Sequence, residues 1–237
     1  DRLRSRGLGD VYKRQIRGII WYQGESDTGP EGSKHYERHL IDLVNDWRTQ
    51  WNNKNRPFVI VQLANYQQRS KVPVESGNAQ VREAQRKASL QLKNVGLATA
   101  IDLGESNDIH PLNKKDLAHR CVLQMNKLSF GEKNIVAEGP RAEATELKEN
   151  GRIVISFRQG TGSLKQAKSL EGIAIAANDG KYRFVEAYTE GDKVIALWNG
   201  KGIPASIRYA WENNPPSSIY NTEGLPASSF QLPIINK

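Results

Sequence analysis

Two short segments of the sequence combine residue types that acyl transfer uses. In the first, Gln23 and Gly24 directly follow an apolar run, IIWY at 19–22. The glutamine amide can donate a hydrogen bond to a developing oxyanion, and a glycine lets a substrate or another backbone approach closely. In the second, Asp108 precedes His110 by two residues. A histidine whose tautomer is fixed by a carboxylate can act as a general base near neutral pH, so the segments together predict a base and one oxyanion donor.

A base and an oxyanion donor need a nucleophile, which in acyl-transfer enzymes is commonly a serine. Ser26 is the serine nearest to Gln23 in the sequence, within the segment GESDT. This segment differs from the G-x-S-x-G turn that exposes a nucleophilic serine, because Thr28 stands where the second glycine would be. We therefore expect the nucleophile to lie outside this chain.

Both segments belong to residues 16–133, where short apolar runs alternate with long amphipathic stretches. Apolar residues recur at helical spacing from 33 to 51, whereas PFVIVQL and VGLATAIDL are typical of strands. Strands that alternate with helices indicate a parallel sheet covered by helices. Ligands bind beyond the carboxyl ends of the strands in such sheets, so we expect Gln23 and His110 at one edge. Asp102 is expected at the same edge, where the third strand ends.

From residue 134 to residue 237 the pattern changes to short β-rich runs, such as GRIVISF, EGIAIAAN and KVIALW, separated by Gly, Asn and Asp. This pattern predicts a small, sandwich-like all-β domain. Its stretch 212–233 is rich in Pro, Ser and Asn, and we expect an irregular tail that lies over the surface. The predicted fold class is α/β, with an all-β domain at the C-terminal end.

The charge balance is basic, since 34 Lys and Arg against 26 Asp and Glu give a net charge of +8. Residues 1–15 supply +3 of this excess and the rest is spread thinly, so no nucleic-acid partner is expected. No apolar run approaches the roughly 18 residues that a membrane span needs, and no membrane insertion is expected. Residues 1–15 lack apolar periodicity, and we interpret them as a non-native leader, with a native disordered arm as the alternative.

Several segments, in the same order, resemble the sialate O-acetylesterase family, which belongs to the SGNH hydrolases and the carbohydrate esterases. The resemblance covers residues 16 to about 235. The matching segments are GIIWYQGESD, YERHLIDLVNDWR, PFVIVQLANY, VREAQ, TAIDLG, DIHPLNKKDLAHR and IRYAWENNPPSSIYNTEGLPASSF.

The resemblance implies a flavodoxin-like parallel sheet, of which this chain holds a part. It also implies a serine, within a Gly-Gln-Ser-Asn type motif, that attacks an acetyl ester. The family's Trp-x-Gln-Gly-Glu block falls on Trp21, Gln23, Gly24 and Glu25. In this block the glutamine has the oxyanion role, and we expect Glu25 to support the turn.

The resemblance further assigns the role of general base to His110, in an Asp-x-His-Pro block that begins at Asp108. Many SGNH enzymes have the triad acid three residues before the histidine, where this chain has Asn107. Asp108 is therefore the expected acid, and Asp102 is the alternative.

The predicted function is that of a carbohydrate O-acetylesterase that works through a Ser-His-Asp acyl-enzyme, without metal or organic cofactor. No serine motif of the family's first block occurs upstream of residue 16, so we expect this chain to be an inactive fragment. The alternatives are a non-catalytic carbohydrate-binding protein and an acetylxylan esterase of the same superfamily. The resemblance suggests a periplasmic or secreted protein, and the oligomeric state does not follow from the sequence.

Overall fold

The computed structural model describes residues 16–236, so the predicted leader at 1–15 lies outside the described residues. Three strands and three helices alternate in the first part of the fold, as predicted. The strands are β1 (Ile19–Trp21), β2 (Phe58–Gln62) and β3 (Val95–Thr99). The helices are α1 (Pro30–Gln50), α2 (Gly77–Gln91) and α3 (Lys114–Ser129). Residues 16–129 are called the α/β part below.

The three strands form one parallel sheet in the order β1-β2-β3, with helices on both of its faces. Successive strand residues point to opposite faces, so Ile60 packs against α1 and α2 whereas Val59 and Val61 pack against α3. Side chains cap two of the helices: Ser76 Oγ accepts from Ala79 N (3.1 Å) and Asn113 Oδ1 accepts from Asp116 N (3.1 Å). Within residues 16–236, no helix combines the length and apolarity that crossing a membrane requires.

Strand β1 lies at an edge of this sheet and is less covered than its neighbour. Among the described residues it pairs only with β2, through Ile19–Phe58, Ile20–Val59 and Trp21–Ile60. Val59 is fully buried, but its partner Ile20 is 53% exposed. Helix α3 covers one face of the sheet at β2 and β3. On that face, the side chain of Ile20 in β1 is exposed to solvent.

The rest of the described chain forms nine further strands in two sheets, which confirms the predicted β-rich second part. One sheet has the order β12-β4-β5-β9-β8 and the other has the order β11-β10-β6-β7. All neighbouring strands are antiparallel except β12 and β4. The strands are β4 (Ala142–Leu147), β5 (Arg152–Phe157), β6 (Ile173–Ala177), β7 (Tyr182–Phe184), β8 (Ala187–Glu190), β9 (Lys193–Leu197), β10 (Pro204–Tyr209), β11 (Phe230–Pro233) and β12 (Ile235–Asn236). Residues 142–236 are called the β-rich part.

The expectation of a surface tail at 212–233 is wrong, because this stretch is largely buried. Ile219 is 1% exposed, and Phe230 is fully buried at the start of β11, which pairs with β10. Asn221 is also fully buried; its side-chain amide donates to two backbone carbonyls and accepts from Leu225 N (2.8 Å). Such side-chain bonds satisfy backbone groups that would otherwise need water, so an irregular segment can enter the core.

Candidate active site

Gln23 follows the end of β1 and its side chain is held by two neighbours. Gln23 Nε2 donates a 2.6 Å hydrogen bond to Asp27 Oδ2. This bond uses one of the two N–H groups of the glutamine amide. Tyr36 of α1 donates to the backbone carbonyl of Gln23 (2.7 Å), and its hydroxyl also lies 3.2 Å from Gln23 Oε1. Burial is the main cause that raises the pKa of Tyr36, so its phenol remains a hydrogen-bond donor at neutral pH. Among the described residues, the second N–H of the Gln23 amide has no acceptor.

Gly24 is required by the backbone and by its packing. Its φ is +147°, in the region that favours glycine, and a Cβ there would lie 2.9 Å from Val81 Cγ1 and 3.2 Å from Tyr36 Oη. The groups that approach the Cα of Gly24 closely on the side of the missing Cβ are therefore side chains of the protein itself. Glu25 then starts a short 3-10 turn, and its backbone carbonyl accepts from Thr28 Oγ1 (3.0 Å), so this residue contributes to the turn.

A small cavity of about 90 Å³ is lined in part by Gln23. It is lined by the residues that orient the amide, Asp27 and Tyr36, and by Trp21 and His39. Leu40 and Leu43 of α1 complete the lining. The space is large enough for a few ordered waters or a small substituent.

Asp108 and His110 follow β3, in the segment 100–113 that leads into α3; we call this segment the histidine segment. Asp108 Oδ1 accepts from the backbone N–H of His110 at 2.8 Å and lies 3.5 Å from His110 Nδ1. The side chain of His110 is 85% exposed and that of Asp108 is 45% exposed. The structure therefore brings the predicted base and the predicted acid together on an accessible loop.

Asp102, the alternative acid, has other partners. Arg120 of α3 contacts both of its carboxylate oxygens, at 2.6 and 2.9 Å, and Tyr220 Oη donates to Oδ2 at 3.2 Å. Only 16% of its side chain is exposed. The carboxylate beside His110 is thus that of Asp108, whereas Asp102 ties the start of the histidine segment to α3 and to the β-rich part.

The Gln23 turn and the histidine segment both lie at the carboxyl end of the parallel sheet, after β1 and β3, the two strands that flank β2. No hydrogen bond joins Gln23 to His110 within residues 16–236. A contact between the two regions is made by Tyr22, the residue before Gln23. The centroid of its ring lies 5.9 Å from Nζ of Lys114, at the start of α3. Both polar groups therefore follow strands at the carboxyl end of one parallel sheet.

Sequence reasoning missed the side chains that orient Gln23, namely Asp27 and Tyr36. A signal was present for Tyr36, because it lies on the core-facing stripe of α1 with Leu40 and Val44, where a phenol would need a partner.

Within the described residues, no group of three or more His, Cys, Asp or Glu side chains could hold a metal ion.

Comparisons with known proteins agree on one family. A family model described as carbohydrate esterase, sialic acid-specific acetylesterase matches residues 4–121. The sialate O-acetylesterase of Homo sapiens is 27% identical over 241 residues, covering 91% of this chain and 45% of the relative. That of Mus musculus is 26% identical over 245 residues, covering 91% and 44%.

A solved structure gives the same result. A carbohydrate acetylesterase from Xanthomonas citri superimposes with a TM-score of 0.84 at 32% sequence identity, over 92% of this chain and 50% of that chain. The chain spans about half the length of the relatives that it matches.

Proposed function

Because the chain belongs to the sialate O-acetylesterase family, we propose that it contributes the base and an oxyanion donor to a carbohydrate O-acetylesterase site. The observation that carries the proposal is the placement of polar groups at strand ends. Gln23 follows β1, and the Asp108–His110 pair follows β3 at the same edge of one parallel sheet. This is the edge at which open parallel sheets bind ligands.

In the proposed reaction a serine attacks the acetyl carbonyl while His110 accepts its proton. Asp108 Oδ1 lies 3.5 Å from Nδ1 of the imidazole, which leaves Nε2 as the ring nitrogen that exchanges the proton. The tetrahedral oxyanion accepts a hydrogen bond from the N–H of Gln23 that Asp27 does not use. The sugar hydroxyl then leaves with the proton from His110, and water attacks the acyl-enzyme and releases acetate.

The serine is proposed to lie outside the described residues. Ser26 is exposed in the 3-10 turn after β1, and among residues 16–236 it has no hydrogen bond to a histidine. A serine with no base beside it has little nucleophilic character. For the 237-residue chain alone we therefore expect no hydrolysis of 4-nitrophenyl acetate that depends on His110. Any slow hydrolysis should be the same in the wild-type chain and in His110→Ala.

The decisive test uses the longer protein that carries the serine motif. His110→Ala should lower kcat/KM for 4-nitrophenyl acetate by about a thousandfold or more, because triad residues act at this scale. Gln23→Ala should lower it by about a hundredfold to a thousandfold, as loss of one oxyanion donor does. His119→Ala, on the exposed side of α3, is the matched control and should leave the rate unchanged. Full activity of His110→Ala, or an equal loss in His119→Ala, would refute the assignment.

The substrate class is tested with the same protein. Release of acetate from an O-acetylated sialic acid, and not from acetylated xylan, is the result that the family suggests. Preference for acetylated xylan would place the enzyme with other carbohydrate esterases. Binding of these sugars without any release of acetate would favour a carbohydrate-binding protein over an esterase.

A further inference from the structure

The histidine segment has no helix or strand of its own, yet it carries the proposed base. Its middle, residues 105–110, is mostly exposed. Its first residues are held instead: Ile101 is fully buried and belongs to the core cluster of the β-rich part. The position of His110 therefore depends on contacts that residues 101–104 make with the second half of the chain.

The first of these contacts runs through two asparagines. Asn65, in the loop that follows β2, accepts from Gly104 N at 2.7 Å and donates to Gly104 O at 3.3 Å. The same Nδ2 donates to Asn214 Oδ1 of the β-rich part at 2.7 Å, and Asn214 Nδ2 donates to Gln67 O at 2.6 Å. Asn214 is 8% exposed, so its amide is fixed by these bonds and in turn fixes the orientation of Asn65.

Glycine is needed at 104 for this contact to form. A Cβ on Gly104 would lie 1.9 Å from the backbone oxygen of Asn65, so no other residue could lie so near without moving the chain. The close approach sets the point at which the histidine segment leaves the sheet.

The second contact runs through Asp102. Tyr220 of the β-rich part donates to Asp102 Oδ2 (3.2 Å), and Arg120 holds both carboxylate oxygens while also donating to Thr99 O (2.6 Å). Burial is the main cause that raises the pKa of Tyr220, and the Asp102 carboxylate adds to it. The phenol thus remains protonated and able to donate well above neutral pH.

We propose that Asn214 and Tyr220 of the β-rich part are positioning residues for His110. They act through Asn65 with Gly104, and through Asp102, and together they set the direction in which the histidine segment extends over the sheet edge. The inference rests on the proposed role of His110. The β-rich part is then a support for the catalytic loop in addition to any contact that it makes with sugar.

The test compares two pairs of variants in the 237-residue chain. Asn214→Ala and Tyr220→Phe remove the two contacts. The matched controls are Asn213→Ala, whose side chain bonds Ser76 and Gln67, and Tyr182→Phe, whose hydroxyl donates to Ser206 Oγ (2.8 Å). Each control removes the same chemical group from the same part of the fold without touching Gly104 or Asp102.

Amide hydrogen exchange of residues 103–110 is expected to accelerate about fivefold in Asn214→Ala and Tyr220→Phe, the effect of losing one net hydrogen bond from a local opening. The His110 ring signals in NMR spectra, identified by their loss in His110→Gln, should shift in these two variants. Neither readout should change in the controls.

Unchanged exchange and unchanged His110 signals in Asn214→Ala and Tyr220→Phe would overturn the inference. Equal acceleration in the controls would also overturn it, because the effect would then be a general loss of stability. In the serine-containing esterase, we expect Asn214→Ala to lower kcat about tenfold with little change in KM, since a misplaced base slows the chemical step. If the exchange results hold but His110→Ala stays active, the proposed function fails and the positioning contacts stand.

Discussion

The two parts of the molecule differ in how completely they cover their own apolar surface. In the β-rich part, one core cluster joins both sheets and includes fully buried Ile155, Ile175 and Ile207. In the α/β part the buried residues form two smaller clusters, one on each face of the sheet. Large apolar side chains are exposed more often there than in the β-rich part, and Ile20 of strand β1 is 53% exposed. The polar groups proposed for chemistry all lie in the less covered part. The β-rich part supplies the larger buried core, and the α/β part supplies the accessible polar side chains.

The two parts are joined where β2 ends. Arg82 of α2 is fully buried and donates to Ala64 O (3.3 Å), to Asn213 O (3.5 Å) and to Glu212 O. The segment that follows β10 therefore closes the carboxyl end of β2. The β-rich part therefore contributes to the α/β part directly, because its backbone carbonyls accept hydrogen bonds from the buried guanidinium of Arg82.

Removal of the Arg82 side chain at this junction should have the largest effect on stability. Arg82→Met should destabilise the chain by about 3 to 5 kcal/mol, because three buried carbonyls lose their donor. Arg38→Met is the control, since the Arg38 side chain is 85% exposed, and it should change stability by less than about 1 kcal/mol. Urea unfolding of both variants provides the measurement. Equal effects would mean that the junction does not stabilise the fold.

A smaller loss of stability is expected when an isoleucine is shortened in the core of the β-rich part. Ile175→Val removes one methylene from the core of the β-rich part and should cost about 0.5 to 1.5 kcal/mol. The same change at the exposed edge, Ile20→Val, should stay within about 0.5 kcal/mol. Thermal unfolding of the two variants compares them directly. A loss at Ile20 as large as that at Ile175 would show that the edge is covered in solution.

The smallest effect concerns Glu212, at the junction. Burial raises its pKa, and the hydrogen bond from Ser70 N and the nearby Arg69 and Arg82 oppose the shift only in part. A raised pKa in the folded state means that the group stabilises the fold below its unfolded pKa and loses this contribution as the pH rises through the folded pKa. Glu212→Gln should therefore raise stability at pH 7 by less than about 1 kcal/mol.

The pH dependence distinguishes this explanation from simple repacking. The advantage of Glu212→Gln should shrink as the pH falls to about 4, where the wild-type carboxyl is itself protonated. A difference that stays constant from neutral to acidic pH would contradict the role given to burial. Melting temperatures across this range provide the comparison.

The sequence predicted the parts of the fold that depend on local pattern. Alternating strands and helices up to residue 133, and short strands after it, follow from hydrophobic spacing and turn residues. The stretch 212–233 was misjudged because its Pro, Ser and Asn content is typical of loops. Within it, Asn221 is fully buried, and its amide finds backbone partners as far as 83 residues away in the chain. No local pattern encodes such partners.

The order of strands and helices along the chain is enough to predict that Gln23 and His110 follow strands of one parallel sheet and lie at its carboxyl end. Tertiary structure alone separated the two aspartates. Asp108 reaches His110 through a two-residue turn, whereas Asp102 is held by Arg120 from the next helix and by Tyr220, 118 residues further on. Likewise, Asn65 meets Asn214 across 149 residues. A side chain's role depends on which groups surround it, and for these residues the folded chain brings the surrounding groups from distant positions.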